Sequence, residues 1–171
     1  SLTDGAVIQA GTTSGSGAGG EVFLKAASVD ISGGSRIASQ AREANAGQVT
    51  ITANNELTLD NGSIVTKSFE GIGGNVVLNV GTVSLTNGAS IDSKTISANR
   101  AGNITMNIGT LTLTNKAEIS SNSGATATGD AGTVTIQGRG GAGTSATSVT
   151  LTNGSLLTNA EGAGAGGDIT V

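Results

Sequence analysis

The chain has no cysteine, histidine, proline, tryptophan or tyrosine, and its 171 residues include two phenylalanines. Without cysteine there are no disulfides, no thiol redox chemistry and no thiolate metal sites. Without histidine or cysteine, neither Ser-His-Asp nor Cys-His catalysis can be assembled, and histidine-based zinc sites are excluded. The eight lysines and arginines are scattered among twelve acidic residues, giving a net charge of -4. No basic stripe is present to displace counterions from phosphates, so nucleic acid is not an expected partner. No apolar run approaches the ~20 residues that cross a bilayer, so membrane insertion is not expected either, and no stretch reads as a signal peptide.

What the chain has is glycine, 29 residues of it, and aliphatic residues on a schedule. Disordered chains combine low hydrophobicity with high net charge and lack such a schedule. Here one phrase is written six times, opening at Gly20, Gly47, Gly74, Gly102, Gly132 and Gly167, at spacings of 27, 27, 28, 30 and 35 residues. Each opening glycine leads into alternating apolar and polar residues, as in Gly47-Gln48-Val49-Thr50-Ile51-Thr52. A second alternating run follows: Val29-Asp-Ile-Ser, Leu57-Thr-Leu-Asp, Val83-Ser-Leu-Thr, Leu111-Thr-Leu-Thr and Val149-Thr-Leu-Thr. A third apolar point falls six residues after the second apolar residue of that run, at Ile37, Val65, Ile91, Ile119 and Leu157.

Alternation with period 2 marks a strand with one buried and one wet face, and a repeat of this length marks a solenoid. The expected fold is therefore all-β: a parallel β-helix of about five to six coils, each with three short strands. Asn-Gly follows the second strand in several copies (Asn61-Gly62, Asn87-Gly88, Asn153-Gly154), with Gly33-Gly34 and Asn115-Lys116 as variants. Asn-Gly is also the strongest hairpin signal. The residues after it are too few to pair back along the second strand, whereas stacking equivalent strands satisfies every copy. Residues 1–171 are read as a single solenoid segment. Because Ser1 to Gly5 matches the end of a second strand and Val171 lies inside a first strand, it is expected to be an interior piece of a longer repeat protein.

Stacking predicts inward ladders: Val22, Val49, Val76, Ile104, Val134 and Ile169, then Leu24, Ile51, Leu78, Met106, Ile136 and Val171. The second strand adds Val29, Leu57, Val83, Leu111 and Val149, with Ile31, Leu59, Leu85, Leu113 and Leu151. Five aliphatics per coil, each contributing about 1.5 to 3 kcal/mol, support a narrow core. The insertion Gly138 to Ser148 and the segments after each third strand read as surface loops.

Candidate chemistry is sparse. Asp30, Asp60 and Asp92 are the carboxylates a glycosidase would need to pair across a bond, but they sit at different places in their copies. Asp130 and Asp168, in Gly-rich stretches, resemble a nonapeptide calcium roll, yet are isolated 38 residues apart rather than in tandem. The Thr-x-Thr pairs Thr112/Thr114 and Thr150/Thr152 resemble locally the flat threonine arrays of ice-binding solenoids, with the register broken by Asp30 and Asp60. No catalytic, cofactor-binding or metal-ligating residues are assigned.

The phrases Gly102-Asn-Ile-Thr-Met, Leu111-Thr-Leu-Thr-Asn and Val149-Thr-Leu-Thr-Asn-Gly-Ser resemble the repeats of filamentous-haemagglutinin-type large exoproteins, a likeness covering Leu2 to Val171. The resemblance implies a right-handed parallel β-helix, export by two-partner secretion through an outer-membrane transporter, and a secreted or cell-surface adhesin. The Asn-Pro motifs of that family's secretion domain are missing. The segment is accordingly expected to be non-catalytic shaft. Its partners would be neighbouring repeats or end-to-end copies of itself, and any cell-surface or glycan target would be met by domains not present here. A carbohydrate-active β-helix enzyme and an ice-binding solenoid are the alternatives.

Overall fold

A computed structural model describes all residues, Ser1–Val171, and contains thirteen β-strands and no helix. Every strand pair is parallel. The coils stack into a β-solenoid of about five turns, and the hairpin reading of the Asn-Gly dipeptides does not apply. The chain opens with β1 (Val7–Gly11), and the first full coil is β2 (Val22–Ser32) and β3 (Arg36–Ala41). Then follow β4 (Val49–Asp60) with β5 (Ser63–Ser68), β6 (Val76–Thr86) with β7 (Ser90–Thr95), and β8 (Ile104–Thr114) with β9 (Glu118–Ser123). The last coil comprises β10 (Val134–Gln137), β11 (Ser148–Thr152) and β12 (Ser155–Leu157), followed by β13 (Ile169–Thr170).

The three segments expected in each coil are present, and the first two run into each other. In β2, β4, β6 and β8 they form one strand of 11 or 12 residues that turns the corner without losing its ladder. The corner shows as a register shift between Ala26 and Ser28 and between Ala53 and Glu56. Only in the fifth coil does an insertion part them. There Gly138 to Ala146 forms a loop closed by Gly138 N donating to Thr144 O (2.9 Å), and β11 rejoins the stack on β8.

The inward ladders follow the alternation except at the open end of the stack, where Ile169 and Val171, expected inside, are exposed and Val171 has no strand partner. Val22, Val49, Val76, Ile104, Val134 and Ile169 pair in register, as do Leu24, Ile51, Leu78, Met106 and Ile136. A further column, Ala26, Ala53, Val80 and Ile108, fills the corner. One cluster of 26 buried residues runs from Val22 in the first full coil to Ile136 in the fifth. Leu151, on the outermost second segment, is 40% exposed.

One ladder differs from expectation. The third apolar column is Ile37, Ile64, Ile91 and Ile119, all fully buried, continued in register by half-buried Leu156 at the end of the stack; Val65 and Leu157 stand one residue further on, in register with Asp92 and Ser120. Corner length is the cause. In the first, third and fourth coils two residues with positive φ make the turn: Gly33 and Gly34, Asn87 and Gly88, Asn115 and Lys116. A small buried residue follows (Ser35, Ala89, Ala117), and its N–H closes the turn on the carbonyl three residues back at 3.1 Å. In the second and fifth coils only Asn61 and Asn153 have positive φ. Gly62 and Gly154 take the place of the small residue, because a Cβ there would strike Ile31 O or Leu113 Cβ. A fixed count of six therefore overshoots by one in those two coils.

The opening glycines are required by close approach rather than by φ. A Cβ on Gly47, Gly74, Gly102, Gly132 or Gly167 would run into the carbonyl oxygen of the opening glycine one coil earlier.

Candidate functional site

The outward residues fall on three faces, each a set of parallel columns one coil step (~4.8 Å) apart. On the face of the second segment, Ser28, Asp30 and Ser32 stack on Glu56, Thr58 and Asp60, and these on Thr82, Ser84 and Thr86. Thr110, Thr112 and Thr114 follow, then Ser148, Thr150 and Thr152. The last three coils thus carry nine hydroxyl side chains with no charge among them, some bonded to each other: Thr110 Oγ1 donates to Thr82 Oγ1 (3.3 Å) and Thr114 Oγ1 to Thr86 Oγ1 (3.1 Å). Glu56, Asp60 and Asp30 end that array.

The carboxylates singled out in the sequence are dispersed. Asp30 and Asp60 share the second-segment face, two residues out of register on neighbouring coils. Asp92 lies on β7 in the other sheet. Two of them have side-chain partners: Asp60 Oδ1 accepts from Asn87 Nδ2 at 2.8 Å, and Asp92 accepts from Ser90 Oγ at 2.8 Å and Ser120 Oγ at 2.6 Å. Asp130 Oδ1 accepts the Ala165 N–H (2.8 Å) and so serves the backbone of the next loop, while Asp168 contributes its own carbonyl to Val134 N at 3.0 Å. No three acidic side chains are grouped as a cation cage.

The third face holds the one concavity of the molecule, about 210 Å³. Its floor is the middle column, Val65, Asp92 and Ser120. One wall is the stacked column Lys67, Lys94 and Asn122; the other is Glu118, whose Oε2 accepts from Ser155 Oγ at 3.4 Å. Short floor residues between long wall residues make the hollow. The wall lysines differ: Lys67 Nζ sits 4.2 Å from the Phe69 ring centroid, a cation–π contact that draws it toward the turn after β5. Sequence reasoning did not single out this constellation. Its signal was available in the 27-residue offset from Lys67 to Lys94 and in the Ser90-x-Asp92 pair on one face of β7.

A second unforeseen feature is internal. Ser39, Thr66, Ser93 and Ser121 occupy an inward column where the alternation would place an aliphatic residue, and all four are fully buried. Ser39 Oγ donates to Gly20 O (2.7 Å), Thr66 Oγ1 and Ser93 Oγ both to Gly74 O (2.5 and 2.8 Å), and Ser121 Oγ to Gly102 O (2.7 Å). Ser39 and Ser121 also accept from Gly47 N and Gly132 N, both at 2.9 Å. Thr158 repeats the pattern on Gly167 O at 2.7 Å. These hydroxyls satisfy backbone groups of the opening glycines: Ser39, Ser93 and Ser121 close a coil on its own beginning, while Thr66 and Thr158 reach the opening glycine of the next coil.

Comparison of the chain with protein-family models, curated proteins and solved structures finds no significant match. The residues themselves carry the functional argument.

Proposed function

We propose that this chain is a shaft segment of a secreted or cell-surface adhesin or extracellular filament, giving length and a repetitive polar surface rather than turnover. The observation that carries the reading is the register. Both sheets pass from coil to coil with equivalent residues paired, so each repeat adds one step to a rod without altering its neighbours. A polysaccharide-cleaving alternative needs two carboxylates facing each other across a bond; Asp30 and Asp92 lie in different sheets. The likeness of the repeats to filamentous-haemagglutinin-type exoproteins supports an extracellular location and export through an outer-membrane partner.

Deleting Gly47 to Gly73 tests this. The cut joins Ala46 to Gly74 in the register that Gly47 held, so the shortened chain should fold with the same β signature. Its maximum dimension in small-angle scattering should fall by about one coil step, ~4.8 Å. Cooperative loss of structure would overturn additivity. Cleavage of a polysaccharide by the intact segment, lost on replacing Asp30 and Asp60 together with Asn, would replace the shaft by an enzyme.

The nine uncharged hydroxyl side chains of the last three coils favour one second reading, an ice-binding face. Thermal hysteresis that vanishes in Thr112→Lys would establish it.

A further inference from the structure

The groove on the third face has a polarity that selects its ligand. Two lysines stand on one wall, and an acid lies on the floor with another on the opposite wall. A bare anion drawn to Lys67 and Lys94 meets Asp92 and Glu118; a bare cation drawn to the acids meets the lysines. Neither fits both sides. The Asp92 carboxylate is also fixed in place, since each oxygen accepts a serine hydroxyl, from Ser90 and Ser120. A carboxylate has about four acceptor positions, so two remain for donors arriving from the groove. Those two hydroxyl donors already moderate its charge, so it suits neutral O–H donors without demanding a counter-cation.

We propose that this groove binds one residue of an acidic saccharide: the anionic substituent against Lys94 and Lys67, the ring hydroxyls donating to Asp92 and Glu118, and the Asn122 amide at the rim. The volume, about 210 Å³, lies below that of sites for drug-sized ligands and suits one sugar ring with its substituent. The groove runs along the stacking axis across three coils, so further sugar units would lie along the same face. Lys94 is the principal anion contact, because Lys67 is drawn toward Phe69.

The inference is independent of the shaft reading: a groove that binds nothing leaves the outcome of the repeat deletion unchanged. The test is a titration of the intact chain with trigalacturonate, followed by amide chemical shifts and calorimetry at low salt. Galactotriose, inorganic sulfate and a Lys-Asp dipeptide serve as comparison probes. Trigalacturonate should bind with a Kd on the order of 1 mM, weakening as salt rises, and should shift the amides of Asp92, Lys94 and Ser120. Lys94→Gln should weaken it by about tenfold, the loss of one charge-assisted hydrogen bond, with an unchanged melting temperature. Lys25→Gln, on another face, should leave it within about twofold. Asp92→Ala should weaken trigalacturonate but not sulfate. The proposal is overturned if trigalacturonate causes no shifts, or if galactotriose or sulfate binds as well as trigalacturonate. It is equally overturned if the dipeptide binds in its place, or if Lys25→Gln costs as much as Lys94→Gln.

Discussion

Ser121 stands between two glycines of successive coils, donating its hydroxyl to Gly102 O at 2.7 Å and accepting the Gly132 N–H at 2.9 Å. The bonds tie the end of one coil both to its own start and to the start of the next. Ser121→Ala strands two buried backbone groups and should destabilise the chain by about 1–3 kcal/mol. Ser121→Thr should be nearly neutral, because Thr66 and Thr158 serve the same column. Chemical denaturation of the two variants checks this; equal losses would mean that cavity and shape, not the hydroxyl, matter at this position.

The two-residue period makes a sharp demand on neighbours. Leu113 is fully buried and Thr112, beside it on β8, faces outward. Leu113→Asp places an unpaired charge in a narrow apolar core and should unfold the region, as should Ile91→Lys. Thr112→Lys should change stability by less than about 0.5 kcal/mol. Thermal melts measured in parallel give the comparison, and similar shifts for Leu113→Asp and Thr112→Lys would contradict the buried and exposed assignments.

Corner length can be exchanged between coils. Replacing Asn61-Gly62 by the Asn87-Gly88-Ala89 sequence of the third coil adds one residue, yet should preserve the pairing of Ile64 with Ile37 and Ile91. Gly62→Ala alone, with the short corner kept, drives a Cβ into Ile31 O and should cost more than the three-residue graft. Denaturation midpoints rank the two; a graft less stable than Gly62→Ala would show that the corners are not interchangeable.

The opening-glycine column gives a further prediction. Gly102→Ala meets the carbonyl of Gly74 and should separate two coils locally, whereas Gly88→Ala meets nothing within 4 Å and bears only the strain of a positive φ. Hydrogen exchange should accelerate at Ile104 and Val76 in Gly102→Ala and not in Gly88→Ala. Protection kept at Ile104 in Gly102→Ala would refute the close-approach account.

The ladders of the long strands were legible because aliphatic alternation reports directly which side of a strand is dry. Val49, Ile51, Leu57 and Leu59 needed no other information. Val65 and Leu157 were misplaced because a residue count cannot see whether a turn uses one left-handed residue or two; that depends on the contact of Gly62 with Ile31 and of Gly154 with Leu113. The inward hydroxyls of Ser39, Thr66, Ser93 and Ser121 were hidden for a related reason. A serine at an inward position reads as a break in the pattern until the glycine carbonyl it serves is seen across the coil. The groove depended on pairs distant in sequence, Lys67 with Lys94 and Asp92 with Ser120, which become neighbours only through the stacking.

Because the strands stack in parallel, their backbone hydrogen bonds point along the rod, and a pull on its two ends loads them lengthwise. Tension is then carried in series, one coil boundary after another, and within a boundary in parallel by both sheets. The boundaries are not equal. Between β4 and β6 the ladder spans the whole strand, while β8 is met in the fifth coil by the four-residue β10 and, beyond the Gly138 loop, by the five-residue β11, with three-residue β12 on β9. Among the boundaries between the five full coils the last has the shortest ladders, so within that stretch extension should begin in the fifth coil and release a few tens of residues of slack while the four coils before it still hold. The insertion that interrupts this coil would then act as a mechanical fuse.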